Sequence, residues 1–286
     1  MPSIPRKVED RLVEGLKRFQ PILSAARARD VNEADTVVIV TDLLADLFGH
    51  DKYTEITREY AIRGTFCDLA IKIEDQPRLL IEVKAIGLEL KEAHIRQAVD
   101  YAANQGVEWV ALTNGAEWKV FRVNFGKPVD QELVLALDLL SLNSRTPSHI
   151  ESLYPLTREG LLKSALSDYH IQRQAMSRFS LAALLLSEPV LKILRRELRR
   201  LSPGVNVDIE EIKEVLTNEV LKREVVEGEK AEEAKKRIQR ALRRQLRSAP
   251  RQVAGEEPSD QADLGGETEF AEDQPGGSAD DTAQDE

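Results

Sequence analysis

The stretch Leu79–Gly87 reads LLIEVKAIG, an apolar run with a carboxylate and an ammonium set into it two residues apart. Strand side chains alternate faces, so Glu82 and Lys84 point one way while Ile81, Val83 and Ala85 point the other. A mostly buried strand that presents two opposite charges on one face has two physical explanations. One is an edge strand carrying a surface ion pair. The other is a metal site.

The neighbouring segments give this strand its context. Residues 6–20 form an amphipathic helix with Val8, Leu12, Leu16 and Phe19 at helical spacing and Pro21 as its stop. A second helix runs from about Asn32, a good N-cap, to Leu47, with Val37, Val40, Leu44 and Leu47 on one face. YTEITREYAIRG alternates as a strand ending at Gly64, TFCDLAIKI is a second strand, EDQPR a turn and LLIEVKAI a third strand. These three predict an antiparallel meander. LKEAHIRQAVDYAANQG follows as a helix closed by Gly106, then VEWVALTNG and EWKVFRV as strands joined at Asn114-Gly115. From the second helix onward the order α-β-β-β-α-β-β predicts an α/β fold, a mixed sheet flanked by helices.

The sequence divides into residues 1–140 carrying this pattern, a linker at 141–155 (SLNSRTPSHIES), a helical region at 156–248 and a tail at 249–286. The net charge of −10 belongs to the tail. Residues 251–286 hold twelve of the fifty acidic residues and one of the forty basic ones, which leaves 39 basic against 38 acidic in the body. Rich in Gly, Pro, Asp and Glu, the tail cannot bury enough apolar surface to offset its ordering entropy and is expected to be disordered. Its plain role is solubility; a DNA-mimicking or autoinhibitory role is the alternative. Lys235, Lys236, Arg237, Arg240, Arg243, Arg244 and Arg247 make a basic helix surface, read either as a solvated face paired with Glu232 and Glu233 or as a phosphate contact.

Composition narrows the chemistry. No apolar run approaches ~18 residues, so no membrane span is expected, and the N-terminus has no segment of signal-peptide type, which points to the cytoplasm. With one cysteine, Cys67, an internal disulfide and a cysteine-based zinc cluster are excluded, and four scattered histidines argue against a His-rich metal site. Any metal would be a hard ion held by carboxylates. Cys67 reads as a small buried residue, Trp109 and Trp118 as core or sheet-face aromatics, and His94 as a surface residue.

If the second and third strands pair through their turn, Asp68 and Glu82 come close together on one face. Two such carboxylates repel unless a cation lies between them or one holds a proton. Mg²⁺ suits this, because it needs only one or two protein carboxylates and keeps several waters. Lys84, on the same face, is placed to stabilise an attacking hydroxide or the growing charge on a phosphate.

Asp68 followed by Glu82-Val83-Lys84 resembles the PD-(D/E)xK nuclease signature. More closely, NEADT at 32–36, REYAIRGTFCDLAI at 58–71, LLIEVKAIG at 79–87, QAVDY at 97–101 and ALTNGAEWKVFRV at 111–123 resemble the N-terminal nuclease domain of type I restriction enzyme restriction (R) subunits and their stand-alone relatives. The resemblance covers roughly residues 25–140 and implies a restriction-endonuclease-like fold. It implies Asp68 and Glu82 as metal ligands, the Val83 carbonyl as a further ligand, Glu33 as the upstream acidic residue that completes the metal site, and Lys84 as the catalytic lysine. Gln97 and Tyr101 correspond to the Q-x-x-x-Y motif, and their spacing independently puts them on one helix face. One departure is Cys67, where the signature has proline.

The expected activity is Mg²⁺-dependent hydrolysis of DNA phosphodiester bonds, with Mn²⁺ as a substitute ion, in restriction, defence or DNA processing. The alternative is a catalytically inactive nuclease-like domain that serves as a nucleic-acid-binding or assembly module. DNA is the expected partner. The chain contains no G-x-x-x-x-G-K-[ST] and so no P-loop motor of its own; it is expected to cut without a motor, to work with a separate motor or specificity partner, or to have been repurposed. A double-strand cut by a single-site nuclease would call for a homodimer.

Overall fold

Six strands form one mixed sheet in sequential order: β1 (Ile56–Ile62), β2 (Thr65–Ile73), β3 (Gln76–Val83), β4 (Trp109–Thr113), β5 (Glu117–Asn124) and β6 (Asp130–Asp138). The computed structural model describes residues 4–62, 65–204 and 206–248. The acidic tail, and the strand end expected at Gly64, lie outside them. β1, β2 and β3 make the expected antiparallel meander, and β4–β5–β6 is antiparallel as well. Only β3 and β4 run parallel. That pairing requires a crossover, and helix α3 (Arg96–Gln105), entered through a 3₁₀ turn at Glu92–Ile95, supplies it. Gly106 closes α3 in the left-handed conformation at φ 69°.

The sheet buries both faces. Leu69, Ile71, Leu79, Ile81, Val83, Ala111, Trp118 and Val120 pack in one core with helix α1 (Arg6–Ala28) and helix α2 (Glu33–Asp42). On the other side Ala70, Leu80, Val110, Leu112 and Phe121 pack with Ile95, Val99 and Ala102 of the crossover. Two buried faces explain why β3 and β4 read as near-continuous apolar runs. Asn32 caps α2, accepting the Asp35 N–H at 2.9 Å, and a π turn at Leu43–Leu47 extends the helix to the expected end.

Three expectations change. α1 does not stop at Pro21 but continues to Ala28, because Leu23 and Ala26 extend its buried stripe. Pro21 lies on the exposed side, where solvent can satisfy the freed carbonyl. The β2–β3 turn is two residues long, Glu74 and Asp75, both with positive φ (55° and 59°), and Gln76 and Pro77 already belong to β3. β6 is an addition to the expected strands; it carries the apolar run Leu133–Leu137, but at the edge of the sheet only Val134 and Leu135 of it are buried. The turn at Asn114-Gly115 forms as expected. Gly115 has φ 84°, Asn114 Oδ1 accepts the Glu117 N–H at 2.7 Å, and Trp118 Nε1 donates to the Gly115 carbonyl at 3.0 Å.

Beyond β6 the chain is helical: α4 (Pro147–Leu153), α5 (Arg158–Leu162), α6 (Ala165–Ala175), α7 (Arg178–Leu185), α8 (Glu188–Leu201), α9 (Ile209–Val215), α10 (Arg223–Val226) and α11 (Glu229–Ser248). Met1–Ala241 is one compact unit, and the second begins at Leu242. The stretch read as a linker carries α4, and Ile150, Leu153 and Tyr154 are buried in the same core as α1. In α11, Lys235 pairs with Glu232 at 2.7 Å and Arg237 donates to Gln174 Oε1 at 2.8 Å and to Ser180. Lys236, Arg240, Arg243 and Arg244 are exposed. Among the described residues no helix is long and apolar enough to cross a membrane.

A polar junction ties the sheet to the helices that follow. Arg11 donates to the carbonyls of Leu47 (3.3 Å) and Phe48 (3.2 Å) and forms two bonds with the Glu159 carboxylate (3.0 and 2.6 Å). A side chain on Gly49, at φ 80°, would run into the Arg11 guanidinium. Arg158 pairs with the nearly buried Glu55 at 2.7 Å. His50, 2% exposed, donates from Nε2 to the Leu156 carbonyl at 3.0 Å.

Burial pushes the His50 imidazole down to about 4, against the raising effects of the Leu156 carbonyl and the Glu55 carboxylate. Because the folded protein binds this proton less readily than the unfolded chain, the stabilising contribution is complete above the unfolded value near 6.5. It is lost as pH falls from there toward 4, by up to about 3 kcal/mol. Urea unfolding of wild type and His50→Gln between pH 7 and 4.5 is expected to show a smaller decline with acid in the variant. Equal declines would remove His50 as the cause.

Candidate nuclease site

The β2–β3 register builds the site. Leu69 stands opposite Ile81, so the next position along brings Asp68 beside Glu82. Asp68 Oδ2 accepts the Val83 N–H at 2.7 Å. The aspartate thus bonds across to the very strand that carries Glu82, and one of its oxygens is committed to that task. The other side of β3 is fixed by β4, where Glu82 pairs with Leu112 and the Lys84 N–H donates to the Thr113 carbonyl at 2.8 Å.

Glu82 and Lys84 share a face, as strand alternation requires, and their side chains meet: Lys84 Nζ lies 2.7 Å from Glu82 Oε1, both side chains being 17% exposed. The same ammonium donates to the Val83 carbonyl at 3.1 Å and reaches Glu33 Oε2 at 3.5 Å. Glu33 is the first residue of α2, and its side chain is half exposed. The segments on which Glu33 and Lys84 sit are joined by the Ile86 N–H, which donates to the Val31 carbonyl at 3.4 Å.

Burial raises the Glu82 carboxyl above the ordinary carboxylate range; repulsion from Asp68 and Glu33 adds to this, and the Lys84 bond opposes it. For Lys84, burial favours the neutral amine, but the Glu82 bond and the charges of Glu82, Glu33 and Asp68 outweigh it and hold the ammonium above its usual value. Cys67 is buried, its thiol donating to the Ile81 carbonyl at 3.2 Å. Burial, with the Glu82 and Asp68 charges beside it, pushes the thiol up to about 12, so it is no nucleophile.

Asp68, Glu82 and the Val83 carbonyl form an all-oxygen donor set beside one another, which is the set a hard divalent ion uses. The repulsion between two adjacent carboxylates is what such an ion would relieve. Among the described residues no group of three or more His, Cys, Asp or Glu side chains is gathered tightly enough to hold a metal. Glu33 is linked to Glu82 through Lys84.

Gln97 and Tyr101 lie on one face of α3, Gln97 exposed and Tyr101 6% exposed. With Ala93, Arg96, Asp100 and Asn104 they line a depression of about 480 Å³ whose walls come from the crossover alone. The carboxylate pair lies outside that wall. His94 accepts the Lys91 N–H at 3.3 Å through Nδ1 and shapes the 3₁₀ turn.

Sequence reasoning missed two residues that hold the loop between Lys84 and α3. Asn114 Nδ2 donates to the Leu88 carbonyl at 3.0 Å and Lys119 Nζ to the Leu90 carbonyl at 2.8 Å. A lysine between Trp118 and Val120 on a buried strand was the available signal, since a partly buried ammonium must find an acceptor.

Residues 50–134 match the family model described as type I restriction enzyme R protein N terminus. No curated protein and no solved structure matches the chain. With its mixed sheet and the order Asp68, Glu82-Val83-Lys84, the matched segment is similar to the PD-(D/E)xK arrangement. The matched residues include Asp68, Glu82, Lys84, Gln97 and Tyr101, while Glu33 precedes them.

Asp68→Ala strands the N–H of fully buried Val83, a loss of about 1–3 kcal/mol partly offset by relief of the Glu82 repulsion. Asp68→Asn keeps an acceptor oxygen and is expected to lose less than Asp68→Ala. Urea midpoints in chelator measure both, and equal losses would show that the Val83 bond contributes nothing to stability.

Proposed function

We propose that the protein is a Mg²⁺-dependent DNA endonuclease, and the observation that supports this most is the adjacency of Asp68 and Glu82 with Lys84 on the same face. The family match adds that domains of this kind come from restriction enzymes. Asp68, Glu82 and the Val83 carbonyl would hold the ion, with Glu33 alongside and Mn²⁺ as a substitute. A bound ion of this class supplies Lewis-acid polarisation of the phosphate and a more acidic water.

The chain's own residues do the rest. Lys84 brings a positive charge, held protonated by its anionic surroundings, to the phosphate as negative charge builds on its oxygens. Glu82 and Asp68 orient attacking water through their free oxygens. In the hydrolysis the water oxygen bonds to phosphorus, one P–O ester bond breaks, and the departing alkoxide takes up a proton as the water loses one. Gln97 and Tyr101, at the depression on α3, position the DNA strand or the site itself. The exposed Lys236, Arg240, Arg243 and Arg244 offer sequence-independent backbone contact, which weakens steeply with salt. A separate motor or specificity subunit, and a second copy for double-strand cuts, are the partners this reading implies.

Purified protein is expected to nick or linearise supercoiled plasmid in Mg²⁺ or Mn²⁺, and Lys84→Ala to lose about 10²-fold or more of that rate. Equal cleavage by the two proteins would place the activity elsewhere. DNA binding without cleavage by either would favour a nuclease-like domain acting as a binding or assembly module.

A further inference from the structure

The Lys84 ammonium does not point freely toward substrate. Its three nearest acceptors are Glu82 Oε1 at 2.7 Å, the Val83 carbonyl at 3.1 Å and Glu33 Oε2 at 3.5 Å. Three of the four groups put forward as holders of a divalent ion are therefore already gathered around one positive charge. Asp68, the fourth, is engaged with the Val83 N–H instead. A lysine has three N–H donors and no acceptor, so this arrangement uses its whole bonding capacity. The Glu82–Lys84 pair is largely shielded from solvent, with both side chains 17% exposed, so the attraction is poorly screened.

A divalent ion and an ammonium cannot share these oxygens cheaply, because like charges a few ångströms apart in a partly desolvated site repel strongly. We infer that Lys84 is an internal competitor for the metal: its ammonium holds Glu33, Glu82 and the Val83 carbonyl together, and an arriving divalent ion must displace it from Glu82. The inference rests on the nuclease reading above. No covalent bond changes in the exchange; the lysine keeps its proton and trades one anionic partner for another. Besides Glu33, already 3.5 Å away, the anion open to a displaced ammonium is a phosphate of bound DNA. Metal and DNA are thereby coupled, since each makes room for the other, and by linkage the coupling acts equally in both directions. A site of this design takes up its ion poorly until substrate is present.

The test is Mn²⁺ binding to the full chain without DNA, followed by electron paramagnetic resonance of the free ion, for wild type, Lys84→Met, Lys84→Gln and Lys84→Arg. Two neutral variants are included so that a folding defect in one leaves the other, and circular dichroism in chelator checks both. Each neutral variant is expected to bind Mn²⁺ about tenfold more tightly than wild type. Lys84→Arg, which keeps the charge, is expected to stay within about threefold of wild type. Wild-type binding with no tightening in the neutral variants would overturn the competitor role while leaving the nuclease reading intact. Absence of Mn²⁺ binding in all four proteins would overturn both. Binding in the neutral variants alone would support the inference most strongly.

Discussion

Two partly buried carboxylates at neighbouring positions of an antiparallel pair repel each other, and the local structure is organised around holding them there. The β2–β3 hairpin cannot relax by slipping, because a one-residue shift would turn Leu79 and Ile81 out of one core and Leu80 out of the other. The Asp68–Val83 bond fastens one carboxylate to the opposite strand. The parallel β4 strand fastens the other side, through the pairing of Glu82 with Leu112 and of the Lys84 N–H with Thr113. The repulsion is balanced by a cation supplied from two residues along the same strand. LLIEVKAIG is thus neither a surface strand with an idle ion pair nor a bare metal site. Its lysine is part of the charge balance of the carboxylates it serves.

Much of this is legible in the sequence, for reasons of periodicity. A strand has a side-chain period of two, so the shared face of Glu82 and Lys84 follows from spacing alone. A tight hairpin transmits register, so Asp68 and Glu82 follow once the turn is recognised. Asn32 and Gly106 marked helix ends because an orphan N–H and a left-handed terminus each favour few residue types. What sequence spacing could not convey is where side chains of different elements end. That Lys84 also reaches Val83 and Glu33 depends on its rotamer and on how the start of α2 is seated, and neither has a sequence period. The same holds for Lys119 and Asn114, whose acceptors are backbone carbonyls of a loop. Such acceptors leave no mark in the sequence.

The misjudged elements share a cause as well. Pro21 was read as a stop from local propensity, but the cost of a proline inside a helix, about 3 kcal/mol, is a local quantity. Burial of Leu23 and Ala26 against the sheet is a tertiary one and outweighs it. β6 escapes despite the apolar run Leu133–Leu137, because its place is set by hydrogen bonds to β5 at the sheet edge, a tertiary contact that buries only two of its nine residues. Residues 141–155 look like a linker because SLNSRTPSHIES is polar, yet Ile150, Leu153 and Tyr154 give α4 an apolar face.

That last point bears on what counts as the sheet-bearing unit. The family match ends at residue 134, and a boundary near 140 is the natural reading of the sequence. The physical boundary is elsewhere. The Arg11 guanidinium closes the end of the π turn after α2 and at the same time binds Glu159, so one side chain satisfies carbonyls of the sheet-covering layer and a carboxylate of α5. Glu55, almost fully buried just before β1, has Arg158 as its salt-bridge partner, and a buried carboxylate stripped of its cation is costly. His50 donates to a carbonyl at Leu156. Cutting the chain at 140 would leave Arg11, His50 and Glu55 without these partners and would bare the core surface that Ile150, Leu153, Tyr154 and Leu156 cover. The helices through α5 are therefore part of what keeps α1 and α2 on the sheet. Because α2 carries Glu33, they also support one of the groups that surround Lys84.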